Sequence, residues 1–181
     1  GVGRADVVLA VVESTKKRGR KLKPIISDVS ALVLEMAVSN LRRSGYGEVA
    51  VLQIDAVALP LADESVDFVT CCDTLHHLNF EQSVAVIKEM QRVCRVGFVV
   101  LDLHRSLLTY LASRLLAFAL AICPGTGHRL SRNDGPLSVL RSFTRAELHE
   151  LALAAGVPSA TVQQHTWQLV LVGDKRSPLR V

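Results

Sequence analysis

The sequence predicts an α/β fold: a Rossmann-like, doubly wound and mostly parallel sheet, an antiparallel last strand, and a helical insertion ahead of the last helix. Three observations predict it. Strand-like and helix-like segments alternate through most of the 181 residues. Several strand segments are continuously apolar, as expected when both sheet faces are covered. The last two extended segments follow one another with almost no loop, so they read as antiparallel neighbours.

The elements follow in order. Asp6–Glu13 is an apolar run after a glycine-rich start and reads as a helix opening at the glycines. A basic turn comes next, with six basic residues in the eight of Lys16–Lys23. Pro24–Val29 reads as a buried strand carrying Asp28 near its end. From Ser30 to Arg43 the apolar positions have helical spacing, with Ser30 as N-cap and Gly45 and Gly47 as stops. Glu48–Ile54 is the next strand, closed by Asp55, and a loop with Pro60 leads to the strand Val66–Cys72. The loop 73–80 precedes a helix over Glu81–Cys94, which Gly97 is expected to break before the strand Phe98–Leu103. Ser106–Cys123 is the most apolar stretch, and Thr126–Phe143 reads as a polar, arginine-rich loop. Thr144 with Glu147 forms a capping-box pattern for a helix that stops at Gly156. Segments 159–166 and 167–172 make the closing strand pair, and 173–181 a frayed tail.

Composition narrows the class. The chain is 49% hydrophobic, which excludes a disordered segment, and its 11 Gly and 6 Pro without a period exclude collagen-like sequence. Four cysteines without a CxxC pair or metal-ligand spacing imply a reduced, cytoplasmic protein and no metal site. Segment 106–123 approaches the length of a membrane span but carries Arg114 near its middle, at a cost of about 2.5–3.5 kcal/mol on insertion. It is therefore assigned to a pocket cover or to peripheral membrane contact. The 16–23 run reads as a solvated turn. It has no interleaved aromatics for base stacking, so no nucleic-acid partner is expected.

Polar residues gather at the predicted carboxyl ends of strands, where open α/β sheets bind ligands: Asp28, Asp55, Cys72–Asp73 and Asp102–His104. Gly1 and Gly3 open a helix whose first N–H groups are unpaired, a place for an anionic group. Asp28 follows about 25 residues later, near the spacing at which a carboxylate meets ribose hydroxyls.

These stretches together resemble the class I S-adenosylmethionine-dependent methyltransferases of the small-molecule type. GVGRAD resembles their glycine motif, with Ala5 where Gly is often found. IISDVSALVLEMA resembles the second strand and helix, and QIDAVALPLADESVDFVTCCDTLHHL the most readable central stretch. IKEMQRVCRVGFVVLDLHRS resembles the fourth helix and fifth strand. RNDGPLSVLRSFTRAELHELALAAG resembles the region before the last helix in a bacterial subgroup linked with quinone-like or polyketide-like substrates. The resemblance implies S-adenosyl-L-methionine as cofactor. It places Gly1 and Gly3 beside the methionine moiety, Asp28 on the ribose with Val29 beside the adenine, and Asp55 and Ala56 at the adenine end. Cys71, Cys72 and Asp73 would line the cofactor near the reacting methyl. It also implies a first strand ahead of the glycine motif, so that the sequence starts one strand short. One methyltransferase-like domain is expected over 1–175, with cofactor binding in 1–105, a helical cover in 106–143, and the last helix and closing strands in 144–175.

His76 and His77, after the fourth strand of that pattern, are the expected general bases, with His104 as a second candidate. Arg105 is expected to pair with Asp102 or Asp134. Tyr110, Arg132 and Arg141, with Arg129 beside them, are expected to face a small apolar acceptor of quinone, phenol or polyketide type, methylated on oxygen or carbon. The alternatives are a non-catalytic module of the same fold that binds a ligand or partner, and a nucleic-acid methyltransferase. The second lacks an Asn/Asp-Pro-Pro-aromatic motif, since the loop reads CCDTLHHL.

Overall fold

The computed structural model describes residues 1–122 and 131–176; the side chains of 120–122 and 131–133 lie outside the description. The chain divides into two compact units, Gly1–Leu61 and Ala62–Val181.

In the first unit, α1 (Asp6–Lys17) is followed by β1 (Ile25–Asp28), α2 (Ala31–Arg43) and β2 (Ala50–Gln53). β1 and β2 pair in parallel, Ile26 opposite Val51 and Asp28 opposite Gln53. Both strands therefore end on the same side, and the Ile54 N–H donates to the Asp28 carbonyl at 3.1 Å. α2 starts where Ser30 caps it, its Oγ accepting from the Val33 N–H at 3.4 Å. Leu34, Ala37 and Leu41 recur at helical spacing and are buried with Ile26 and Ala5. α1 runs four residues past Glu13. Lys16 and Lys17 occupy its last turn, where the helix dipole favours cations, so the basic run begins inside a helix.

The second unit holds β3 (Val66–Cys72), a 3₁₀ turn (Leu75–His77), α3 (Phe80–Val93) and β4 (Cys94–Leu103). After these come α4 (Leu107–Ile122), α5 (Ser131–Arg141), α6 (Arg145–Ala154), β5 (Thr161–Gln164) and β6 (Gln168–Asp174). Its sheet has the order β3-β4-β6-β5. β3 and β4 are parallel, and β6 runs antiparallel to both β4 and β5, as the short closing loop predicts. The core lies on the inner faces of α3 and α6 and on the central strands: Val86, Ile87, Met90, Val93, Phe98, Val100, Leu148, Leu151, Leu169 and Leu171 are all buried. Asn79 and Gln82 form a capping box at α3, and Thr144 and Glu147 form the expected one at α6.

Three expectations are corrected. Gly97 does not stop a helix. β4 begins at Cys94, directly at the end of α3, with Cys94 paired to Val66, and Gly97 lies within the strand. Glycine is required there by crowding, because a Cβ at 97 would fall 2.5 Å from the Gly173 carbonyl oxygen. The 126–143 loop contains a helix, α5, despite Pro136 within it. Pro136 removes one intrahelical donor, but α5 packs along α4, and Pro136 and Val139 are buried. Tertiary packing outweighs the weak local propensity of Asn-Asp-Gly-Pro. The expected tail starts too early: Gly173 and Asp174 belong to β6, held by pairing with Phe98 and Gly97. Cys123, Arg129 and the tail residues 177–181 lie outside the described residues.

Candidate active site

In the first unit the glycine turn, the end of β1 and the end of β2 come together. Gly3 is left-handed (φ +51°), with open space where a Cβ would stand. Ala5 follows, also left-handed at φ 64°, fully buried, at the N-cap of α1. A left-handed alanine carries a steric cost that glycine avoids, about 1–2 kcal/mol. α1 has no side-chain cap, so its first N–H groups stay available to an anionic ligand group. Asp28 ties the turn to the strand: one carboxylate oxygen accepts from the Val2 N–H and the other from the Ser30 N–H, both at 3.0 Å. Each oxygen keeps a further lone pair for a hydroxyl. Val29 is 67% exposed beside it. Asp55 turns back on its own loop, accepting from the Val57 N–H at 3.1 Å, and Ala56 follows. A left-handed glycine turn, uncapped helix N–H groups and a strand-end carboxylate suit an adenosyl amino acid, so the residues present fit the cofactor.

In the second unit a cluster forms where β3 and β4 end. Cys71 is buried and Cys72 half-buried. Burial pushes both thiols up, Cys72 to about 11, with the neighbouring Cys71 adding to it. Asp73 is left-handed (φ 48°), and its N–H donates to the Leu101 carbonyl at 2.8 Å. Burial and the charge of Asp102 raise its carboxyl, against the opposing influence of His76.

His76 and Asp102 form a buried pair. Nδ1 of His76 lies 2.7 Å from Oδ1 of Asp102, with side chains 4% and 1% exposed. The Leu103 N–H donates to the same oxygen at 2.7 Å, and the His76 N–H to the other at 3.2 Å. Asp102 is an acceptor at both oxygens, so His76 carries its proton on Nδ1. Burial alone would hold the His76 ring neutral, but the hydrogen bond and charge of Asp102 outweigh it and raise the imidazole above its ordinary range. His77 is exposed, its ring centroid 4.1 Å from that of His76 and tilted by 45°. Partial desolvation of its ring and the adjacent His76 charge lower it.

The remaining expected residues lie apart from this pair in role. His104 is half-buried. Its N–H donates to the Trp167 carbonyl at 3.0 Å, while its buried Nδ1 has no partner among the described residues. Arg105 pairs with Glu147 rather than with Asp102 or Asp134, and Asp102 is taken up by the His76 ring. Tyr110 is half-buried on α4. Arg141, exposed at the end of α5, lines a cleft of about 300 Å³ with Phe80, Arg105, Phe143, Glu147 and Glu150. The side chain of Arg132 lies outside the described residues. No metal-binding group of His, Cys, Asp and Glu exists among the described residues. Likewise, none of the helices among the described residues is long and apolar enough to cross a membrane.

Sequence reasoning did not join Asp102 to His76, which lie 26 positions apart. The signal was the parallel register. Cys72 opposes Leu101, so the residues just past β3 lie beside Asp102 near the end of β4.

A profile of the methyltransferase domain matches residues 1–97. Demethylmenaquinone methyltransferase of Bacillus velezensis is 35% identical over 104 residues, 58% of this chain and 42% of that protein. The enzyme of the same name from Geobacillus stearothermophilus is 28% identical over 172 residues, 91% of this chain and 71% of that protein. The match thus spans less than half the length of the Bacillus relative. Among solved structures, a SAM-dependent methyltransferase from Aquifex aeolicus superposes with a TM-score of 0.63 at 18% identity, covering 96% of this chain and 78% of that one.

Proposed function

The chain belongs to the methyltransferase domain family, the class I S-adenosylmethionine-dependent methyltransferases of Rossmann-like α/β fold, and from that premise we propose that it methylates a small apolar acceptor of quinone, phenol or polyketide type. The observation that carries the reading is the Asp28 carboxylate, which joins the glycine turn to the end of β1 through the Val2 and Ser30 N–H groups. The relatives named for demethylmenaquinone favour a quinone-like acceptor, and a relative from Klebsiella pneumoniae named as a ubiquinone/menaquinone biosynthesis C-methyltransferase favours methylation on carbon.

In this reading Asp28 accepts from the ribose hydroxyls of the cofactor, and Gly1 and Gly3 let the backbone approach its methionine moiety. Val29, Asp55 and Ala56 attend the adenine. Cys71, Cys72 and Asp73 attend the sulfonium end. When bound, S-adenosylmethionine supplies an electrophilic methyl group on a good leaving group, so holding the reactants in line provides much of the acceleration. His77 removes the acceptor's proton, since it is exposed and held in the neutral form. His76 supports it from below, and His104 is the second-choice base. Tyr110, Arg132 and Arg141 orient the acceptor. One methyltransferase-like domain spans 1–175, a reading supported by a family match that runs from the first unit into the second, over residues 1–97. The partner is a small molecule rather than a nucleic acid, the compartment is the cytoplasm, and the 106–123 segment covers the acceptor or rests on a membrane surface.

Two measurements test this. Titration calorimetry with S-adenosylmethionine and S-adenosylhomocysteine should give binding, and no heat at millimolar ligand would overturn the cofactor assignment. Transfer of a labelled methyl group to demethylmenaquinol, set against simple phenols, should favour the quinol. Carbon-13 spectra of the product then report whether oxygen or carbon is methylated.

A further inference from the structure

The arrangement at the ends of β3 and β4 is a three-member chain. Asp102 fixes His76 through Nδ1 and through its backbone N–H, both within a buried site. His76 in turn stands 4.1 Å from the ring of the exposed His77. A buried histidine has little to offer an acceptor molecule directly, because its ring does not reach solvent. What it can do is present a rigid, charge-bearing face to its neighbour. A cationic ring at this distance disfavours a second cation, by the same argument that separates the titrations of paired like charges.

We propose that Asp102 is a positioning residue that acts through His76: it anchors that ring, and the anchored ring holds His77 in place and in its proton-accepting form. This deepens the proposed function, resting on His77 as the base of that reaction. Other charged groups face the pair as well. Asp73 from the end of β3 and Asp134 from α5 act on His76; Asp102 from β4, with Asp134 and Arg141 from α5, acts on His77. α5 packs against the 75–77 turn, so its two charges complete the set. Asp102 and Asp134 favour a charged His77, whereas Arg141 and His76 oppose it. His76 is the member within ring contact, and among these charges its influence on His77 is the largest.

The test uses the full chain. Imidazole proton–nitrogen spectra, assigned with His76→Gln and His77→Gln, follow both rings from pH 5 to 9. In Asp102→Asn the His76 midpoint should fall and the His77 midpoint should rise. Asp102→Glu should restore some of both shifts. If Asp102→Asn does not fold, His76→Gln gives the same reading, since it removes the cation while keeping a polar side chain, and the His77 midpoint should again rise. An unchanged His77 midpoint in folded His76→Gln, or an unchanged His76 midpoint in folded Asp102→Asn, overturns the proposal. With demethylmenaquinol as acceptor, the acid limb of the kcat/KM profile should move with the His77 midpoint. If the midpoints shift as stated but His77→Ala transfers methyl groups at the wild-type rate, the assignment of His77 as base falls while the coupling stands as a structural fact.

Discussion

Phe98 of β4 lies directly across the antiparallel pair from Gly173 of β6, and its ring fills the space where a side chain at 173 would begin. A Cβ built on residue 173 would overlap Phe98 Cε1 and stand 2.5 Å from Cζ. Phe98 is 1% exposed, so its ring has no vacant direction to take.

Gly173→Ala should therefore destabilise the second unit by about 1–3 kcal/mol, the usual range for overpacking. Urea unfolding followed by circular dichroism measures it. Phe98→Leu in the same background should recover some of the loss, because it withdraws the atoms that the new methyl meets. Failure of that second change to help would locate the strain elsewhere.

Asp28→Ala should weaken S-adenosylmethionine binding by about 1–3 kcal/mol, the scale of hydrogen bonds to a charged group. It also strands the Val2 and Ser30 N–H groups, so a lower melting temperature should accompany the weaker binding. Calorimetry at matched folded fraction separates the two effects. Unchanged affinity would remove Asp28 from the ribose.

Stability should depend on pH through the His76–Asp102 pair. His76 is raised in the folded chain, so its contribution is complete below about pH 6.5, the ordinary histidine value, and is lost as pH rises through the folded value. Wild type should lose unfolding free energy between neutral and mildly alkaline pH relative to Asp102→Asn. Paired denaturation curves at pH 6 and pH 9 give the difference directly. A parallel pH response in both proteins would mean that the pair does not titrate with folding.

Cys72 should be a poor nucleophile. With its thiol pushed up to about 11, the thiolate fraction at pH 8 is about a hundredfold below that of a thiol at the ordinary value of 9.0. Iodoacetamide should modify it slowly in the native state and rapidly in urea, as read by peptide mass spectrometry.

Much of this is legible in the sequence, and the exceptions share a cause. β3, α2 with its Ser30 cap and the Thr144–Glu147 box are visible because their signals are local: an apolar run, a 3.6-residue period, a cap three residues from its partner. α5 is hidden because its stability comes from α4, while Gly135 and Pro136 argue locally against it. Gly97 misleads because a glycine that stops a helix and one that admits a neighbouring strand look alike in sequence. In the candidate site the strand-end positions can be read from periodicity. Which of them pair cannot, since the His76–Asp102 contact depends on the register between β3 and β4.

The basic run near the start has a practical consequence. Beyond Lys17 the chain leaves α1 and crosses to β1 without regular structure, with Arg18, Arg20, Lys21 and Lys23 all exposed. Such a segment fits the cleft of a protease that cuts after basic residues, whereas helical or paired backbone must first open. Brief trypsin treatment should therefore nick the chain here before elsewhere in the first unit. The glycine turn and α1 would leave on one fragment and Asp28 on the other, still joined by their packing, and bound cofactor should slow the cut by holding the two halves together.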